Sequence, residues 1–167
     1  MARLENLLGV QALTLVDRMT DNDLAPSESA ALITLLAHPR SGVGWLADVL
    51  GLTDSGGTRV VERLVAAGLL QRRPGIDGRS RVLELTERGR AQAEAALSTR
   101  ERELARALEP LSDAERQALE RLLGKIVTRL ADDRLAALHA CRLCDREACA
   151  AGARCPLEHT VPPGGLP

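Results

Sequence analysis

Residues 53–86 of this chain, TDSGGTRVVERLVAAGLLQRRPGIDGRSRVLELT, decide its fold. The first half predicts a short helix, because Thr53 is a suitable N-cap and Gly68 lies where a helix C-cap is required. Apolar residues recur between these positions at helical spacing; they are Val60, Val61, Leu64 and Val65. The second half predicts a β-hairpin, with residues 74–78 as the tip between two short strands. A helix followed at once by a basic hairpin is typical of a helix-turn-helix with a wing.

Positive charge is concentrated in the same region. The whole chain has a net charge of −1, which by itself does not indicate a nucleic-acid partner. Between Arg59 and Arg90, however, eight arginines stand against four acidic residues, a local excess of about four positive charges. The remainder of the chain therefore carries about −5. This segregation predicts that the helix and the hairpin bind nucleic acid.

These residues resemble the MarR family of winged helix-turn-helix transcription regulators, over roughly residues 4–130. In the hairpin, Asp77-Gly78-Arg79 matches the Asp-x-Arg wing signature of that family. The other matching segments are Leu46-Ala47, Leu50-Gly51-Leu52-Thr53, Thr58-Arg59-Val60-Val61, Arg63-Leu64, Gly68-Leu69, Leu85-Thr86 and Gly89. The expected fold is mainly α, a winged helix-turn-helix with a two-stranded β-wing and long N- and C-terminal dimerisation helices.

The candidate DNA-binding residues lie at the start of the second helix of the motif and on the wing. A recognition helix presents its N-terminal residues to base edges in the major groove, and arginine suits a guanine edge. Arginines at a wing tip suit the narrow and negative minor groove. The candidates are Thr53, Ser55, Gly56, Thr58, Arg59, Arg79 and Arg81. Asp77 is expected to brace the wing by pairing with an arginine rather than to touch DNA.

Two consecutive glycines, Gly56 and Gly57, are unusual in the first turn of a recognition helix. Each costs about 1 kcal/mol relative to alanine inside a helix. Two interpretations stay open at this point: the start of the helix frays, or its backbone approaches a phosphate closely.

Amphipathic helices are predicted on both sides of this motif. The first spans Leu4 to Met19, and a later one spans Glu87 to about Leu108. The last long helix opens at a capping box, Ser112-Asp113-Ala114-Glu115. Its apolar stripe consists of Leu119, Leu122, Leu123, Ile126, Val127 and Leu130. Terminal helices with apolar stripes around a small DNA-binding core indicate a homodimer, although packing within one chain is the alternative.

The chain therefore divides into five parts. Residues 1–25 form an N-terminal dimerisation helix, 26–90 the winged helix-turn-helix, and 91–138 the C-terminal dimerisation helices. Residues 139–160 form a cysteine-rich metal knuckle, and 161–167 are expected to be a flexible tail, since they are rich in proline and glycine.

Four cysteines, Cys141, Cys144, Cys149 and Cys155, lie in one short segment outside the family pattern. The chain has no signal peptide or membrane-spanning run, so a cytoplasmic location with reduced thiols is expected, and metal chemistry is favoured over disulfides. Because structural zinc is bound by four soft ligands, zinc held by all four cysteines is the preferred interpretation. The alternatives are a thiol redox sensor, an iron–sulfur cluster and unliganded thiols. His139 and His159 are spare ligands if one cysteine is not used.

The sequence thus predicts a transcription regulator and not an enzyme, because no Ser/His/Asp arrangement or other catalytic constellation is recognisable. A homodimer should bind double-stranded DNA at a pseudo-palindromic operator and act as a repressor. The family resemblance implies a small effector, frequently phenolic, that enters a cleft between the dimerisation and DNA-binding parts. A metal- or redox-sensing regulator read through the cysteines is the alternative, and a thiol-redox or iron–sulfur protein is a further one.

Overall fold

The computed structural model describes residues 2–19, 24–76, 79–150 and 154–160. Within these ranges the chain is mainly helical and carries one two-stranded sheet. The helices are α1 (Ala2–Met19), α2 (Pro26–Ala37), α3 (Val43–Leu50), α4 (Asp54–Ala66), α5 (Glu87–Leu108), α6 (Asp113–Val127), α7 (Arg134–Ala140) and α8 (Arg146–Ala150). The strands are β1 (Leu70–Pro74) and β2 (Arg81–Leu85), and a 3-10 turn follows at Glu158–Thr160. The predicted winged helix-turn-helix is confirmed.

The core lies where α2, α3, α4 and the sheet meet. Its largest buried side chains come from all of these elements; they are Leu32, Leu35, Leu46, Leu64, Leu83, Val49 and Val61. Full burial of one such aliphatic side chain contributes about 1.5–3 kcal/mol. This cluster fixes α4 against α3, and α5 then packs along α2.

Polar side chains cap α4, α5 and α6, and the sequence predicts the caps of α4 and α6. Thr53 Oγ1 accepts a hydrogen bond from Gly56 N at 3.2 Å and so caps α4. Thr86 caps α5 by accepting from Gly89 N at 3.0 Å. At α6 the Glu115 carboxylate accepts from Ser112 N at 2.8 Å, which confirms half of the predicted capping box.

The wing is an antiparallel hairpin whose register pairs Leu70 with Leu85 and Pro74 with Arg81. The loop before α3 adds to its outer edge: Leu83 N donates to Ser41 O at 2.8 Å, and Arg40 N donates to Leu83 O at 3.1 Å. Arg40 has a left-handed backbone with φ of 64°. The base of the wing is thereby tied to the loop between α2 and α3, which the sequence did not reveal.

The C-terminal segment, which includes the predicted knuckle at 139–160, packs onto the helix-turn-helix. Helix α7 continues through that position and lies against α3, where His139 Nδ1 donates to Val49 O at 2.9 Å. Leu143 packs on the main core. A second small cluster consists of Ala131, Ala137 and Leu157. The tail predicted at 161–167 lies outside the described residues.

The outer helices carry large apolar side chains that the chain itself does not cover. Helix α1 packs on α5, yet Leu4 and Leu13 remain 73% and 71% exposed. On α6, Leu122 and Ile126 are likewise exposed. None of the helices in the described ranges combines the length and apolar character needed to span a bilayer.

Candidate DNA-binding surface and cysteine cluster

The first two turns of α4 carry the candidate base-reading residues. Ser55 and Arg59 are exposed, while Thr58 and Gly56 are half-buried. Arg59 Nε donates to Ser55 O at 3.2 Å, so the guanidinium is held beside the N-terminal end of the helix. The Thr53 hydroxyl accepts the capping hydrogen bond from Gly56 N, and this bond orients the first turn of α4. The structure therefore gathers five of the seven candidates at one helix end.

Gly57 has a packing role that neither sequence interpretation included. It is buried, and a Cβ added there would lie 2.5 Å from Ala47 Cβ on α3. Because that distance is far below van der Waals contact, only glycine lets α3 and α4 approach so closely. The helix is regular from Asp54 onward, so the frayed start is not observed. Ala47 is the long-range partner that the sequence could not indicate.

An ion pair that the sequence does not predict joins α2 to α4. Arg63 Nε on α4 donates to Glu28 Oε1 at 2.5 Å, and Glu28 Oε2 also accepts from Ala25 N at the start of α2. One nearly buried carboxylate thus caps α2 and fastens the recognition helix α4 to it. Glu28 lies at the third position of a helix that begins with proline, which indicates capping; its partner 35 residues away had no sequence signal.

The wing carries the remaining two DNA-binding candidates. Arg79 and Arg81 are exposed beside the tip. At the base of the wing, Glu84 pairs with Arg73 at 3.4 Å and with Arg40 at 3.5 Å. Asp77, the predicted bracing residue, lies outside the described residues. In the described part the bracing carboxylate is Glu84, and Arg40 is an additional cation at this surface.

The four cysteines line one pocket of about 190 Å³. Cys141 ends α7, Cys149 lies on α8, and Cys155 precedes the 3-10 turn. The Cys144 amide donates to Cys141 O at 2.9 Å, which closes a tight turn around the first pair. All four are free thiols.

The thiols interact in two pairs. The hydrogen bond from the Cys141 thiol lowers the pKa of Cys144 to about 6, against the opposing effect of burial. The same bond, together with burial, raises the pKa of Cys141. Burial and then the negative charge of Cys155 and Cys144 raise the pKa of Cys149. The arrangement therefore favours thiolate at Cys144.

Neither spare histidine lies among the residues that line the cysteine pocket. The ring of His139 is directed at α3, where it would lie 2.9 Å from a Cβ at Gly51. His159 has its two ring nitrogens 3.2 Å from the carbonyl oxygens of Pro156 and Ala131. Each imidazole thus makes a backbone contact, and the role of either histidine as a spare ligand stays a prediction.

Comparisons with known proteins agree with this architecture. The MarR family profile matches residues 22–80 and so ends before the cysteines. The structure resembles a MarR family protein from Bacillus stearothermophilus with a TM-score of 0.68 and 32% identity, covering 75% of this chain and 91% of that one. RV1404 from Mycobacterium tuberculosis is 28% identical with a TM-score of 0.65, covering 75% of this chain and 90% of that one. MepR, a regulator of the Staphylococcus aureus multidrug efflux pump MepA, shares the fold at 19% identity and a TM-score of 0.67, covering 76% and 98%. No protein with a curated description matches.

The winged helix-turn-helix and the similarity to the Bacillus protein place this chain in the MarR family of transcription regulators. It is accordingly a DNA-binding regulator by family and fold.

Proposed function

We propose that the chain acts as a homodimeric repressor that binds a pseudo-palindromic operator through α4 and the wing. The observation that carries the proposal is the exposed N-terminal end of α4, where Ser55 and Arg59 lie on a helix that packs closely on α3. A helix N-terminus combines unpaired backbone amides with a positive dipole, and it suits both phosphates and base edges in the major groove.

The two parts of this surface have different roles. Arg59 is suited to a bidentate contact with a guanine edge, whereas Ser55, Thr58 and the backbone at Gly56 are suited to phosphates. Arg79 and Arg81 on the wing would enter the adjacent minor groove. Sequence preference should therefore reside mainly in Arg59, and overall affinity mainly in the wing.

Dimerisation would set the spacing of two such surfaces. The exposed apolar side chains of α1 and α6 would pair across a two-fold axis, which would place the two recognition helices about one DNA turn apart, roughly 10–10.5 bp. An operator with dyad symmetry follows from this arrangement.

Effector control has a candidate location in a cleft of about 490 Å³ between α2, α5 and the segment that begins at Cys144. Apolar side chains line one part of it, namely Ile33, Leu36 and Leu97, and Arg90 and Arg146 line another. Four carboxylates, Glu94, Glu101, Asp145 and Glu147, also line the cleft. The apolar part therefore carries the argument, because it suits an aromatic ring, and we retain a small phenolic molecule as the effector class. Small phenols, added to a preformed operator complex, should release the protein if this assignment holds.

The DNA-binding assignment is tested with an operator selected from random duplexes. Arg59→Ala should weaken binding by about 1–3 kcal/mol and relax the base preference at one position in each half-site. Arg79→Ala should weaken binding with less change in preference, and affinity should fall steeply with salt. Arg102→Ala is the charge-matched control, because it removes an exposed arginine on α5 whose partner is Thr99. If both Arg59→Ala and Arg79→Ala bind like the parent, the proposed surface is wrong.

A further inference from the structure

We propose that Cys141, Cys144, Cys149 and Cys155 form a tetrathiolate zinc site that fastens the C-terminal segment to the helix-turn-helix. This site is independent of the proposed DNA-binding surface. The proposal rests on where the fold brings the four sulfurs, on the charges around them and on the contacts that the segment makes.

The first observation is convergence. Cysteines from the end of α7, the turn after it, α8 and the stretch before the 3-10 turn all line the same pocket. Two separate redox pairs would have no need of a shared pocket, whereas a tetrahedral ion requires one. The rest of the lining includes Ala137, Leu138 and Leu157, which would shield a metal–sulfur centre from water.

The backbone forms a closed turn at Cys141–Cys144 and another at Cys155–Glu158. The Cys144 amide closes the first turn by donating a hydrogen bond to Cys141 O, and Glu158 N donates to Cys155 O at 2.9 Å to close the second turn. Cys141 and Cys155 also pack against the small cluster of Ala131, Ala137 and Leu157. Two ligand-bearing turns are thus held to one apolar base.

Charge supports a dianionic centre. Zinc bound by four thiolates has a net charge of −2, and Arg134 and Arg146 line the same pocket. Arg100 on α5 also acts electrostatically on Cys144 and Cys149. The acidic residue among the lining side chains is Glu158, which pairs with Arg154 at 3.8 Å. Arginines around the pocket would therefore offset the charge of the complex.

The site is not closed in the described residues, among which no three thiol, imidazole or carboxylate groups lie at metal-binding spacing. Zinc–sulfur bonds of about 2.3 Å require sulfur–sulfur distances of about 3.8 Å. The thiols already interact as the pairs Cys141–Cys144 and Cys149–Cys155, so closure of the site requires the two pairs to approach each other. The exposed Cys149 lies on the short helix α8. On binding, each thiol loses its proton to solvent and each sulfur donates one lone pair to Zn²⁺, so no oxidant is involved.

Metal binding would also reach α2 and α3, the two helices on which α4 packs. The segment contacts α3 through His139 and Val49, and α2 through Arg146 Nη1, which donates to His38 Nε2 at 2.7 Å. A closed zinc site would fix α7 and α8 and hence these two contacts. Zinc should therefore stabilise the fold of the full chain as well as the segment.

The test uses the full chain purified under reducing conditions. Elemental analysis should find about one zinc per chain, and Co²⁺ exchanged for it should give the intense visible bands of a tetrahedral thiolate complex. Cys149→Ser should remove the bound metal, and in the presence of zinc the variant should melt at a lower temperature than the parent. Circular dichroism should give the same helix content for both proteins, which would show that the exposed position tolerates the change. His159→Gln is the matched control and should retain the metal, because that imidazole contacts backbone carbonyls.

Three results would overturn the proposal. One is a reduced, folded protein that neither contains zinc nor takes up Zn²⁺ or Co²⁺. Another is a Cys149→Ser variant that binds Co²⁺ with the spectrum and affinity of the parent. The third is a different state of the cysteines. Disulfides within the pairs Cys141–Cys144 and Cys149–Cys155 under cytosolic reducing conditions would indicate a thiol sensor. A coloured protein that contains iron and sulfide would indicate an iron–sulfur cluster.

Discussion

At the scale of single residues, Gly57 shows how one missing side chain sets the position of the recognition helix. Its Cβ would lie 2.5 Å from Ala47 Cβ and 3.2 Å from Ala47 Cα, and neither atom belongs to a flexible side chain that could turn away. Gly57→Ala should therefore push α4 away from α3 and cost about 1–3 kcal/mol of the free energy of unfolding. Chemical denaturation measures this cost, and operator affinity should fall with it.

Gly44→Ala is the control for that substitution. Gly44 lies on α3 with nothing within 4 Å of the added Cβ, so alanine should be neutral or should stabilise the helix by up to about 1 kcal/mol. Equal stabilisation by both alanines would show that α3 and α4 do not approach as closely as described.

A second residue-scale prediction concerns His38, which contacts Trp45 with ring centroids 5.3 Å apart. Burial, followed by the charges of Arg146 and Arg134, lowers the pKa of His38 below its usual 6.5. Arg146 donates to Nε2 and so requires the neutral ring. The unfolded chain consequently binds the proton more readily, and the fold should lose stability as the pH falls through about 6.5.

His38→Gln removes this dependence and is the means of measuring it. Relative to the variant, the parent should be progressively less stable between pH 7.5 and pH 5.5, as urea unfolding would show. Comparison with the variant cancels the titration of other groups. A stability difference that stays constant over this range would contradict the assignment.

The same residues show what could be predicted from sequence at this scale. Thr53 and Glu115 were recognisable as capping residues, because each bonds a backbone group within three residues. Gly57 could not be explained, because its reason is Ala47 on another helix. Local hydrogen bonding leaves a sequence pattern, whereas contact between helices does not.

At the scale of elements, the ion pair of Glu28 with Arg63 joins α2 to α4. Glu28→Gln should weaken both the pair and the capping bond at Ala25, and it should cost about 1–2 kcal/mol, since the Arg63 side chain is 54% exposed and screened by solvent. Thermal or urea unfolding measures this loss. Glu62→Gln, an exposed neighbour of Arg63 on α4, is the control and should change stability little. A loss no greater than that of the control would show that the pair does not couple the helices.

The elements themselves followed closely from the sequence, apart from those at the C-terminus. Periodicity and caps located α1, α4, α5, α6 and the hairpin within a few residues. Helix α7 and its packing on α3 were not predicted, and the predicted boundary at residue 138 falls inside this helix. Gly51 is the residue at which α7 approaches α3. Its φ of 67° is left-handed, and the Cβ that it lacks leaves room for the ring of His139.

At the scale of the whole molecule, the distribution of charge and apolar surface is complementary to two partners. Basic residues concentrate in α4 and the wing, which we assign to DNA. Apolar surface concentrates on α1, at the N-terminal end of the described chain, and on α6. The first pattern was evident from sequence by counting charges. The second required the structure to show that these stripes remain uncovered within one chain.

The dimer is the prediction that belongs to this scale. Leu13 on α1 is 71% exposed, and its burial in an isologous interface would occur twice, once for each protomer. Leu13→Glu would therefore lose at least the burial of two leucine side chains, about 3 kcal/mol or more, and should raise the dimer dissociation constant by about 100-fold or more. Sedimentation velocity over a range of concentrations measures the shift, and binding to a complete operator should weaken while contact with a half-site persists.

Leu135→Glu on α7 is the control, because that leucine is also exposed, at 45%, but lies outside the proposed interface. A monomeric parent at micromolar concentration, or a Leu13→Glu protein that dimerises as tightly as the parent, would place the interface elsewhere.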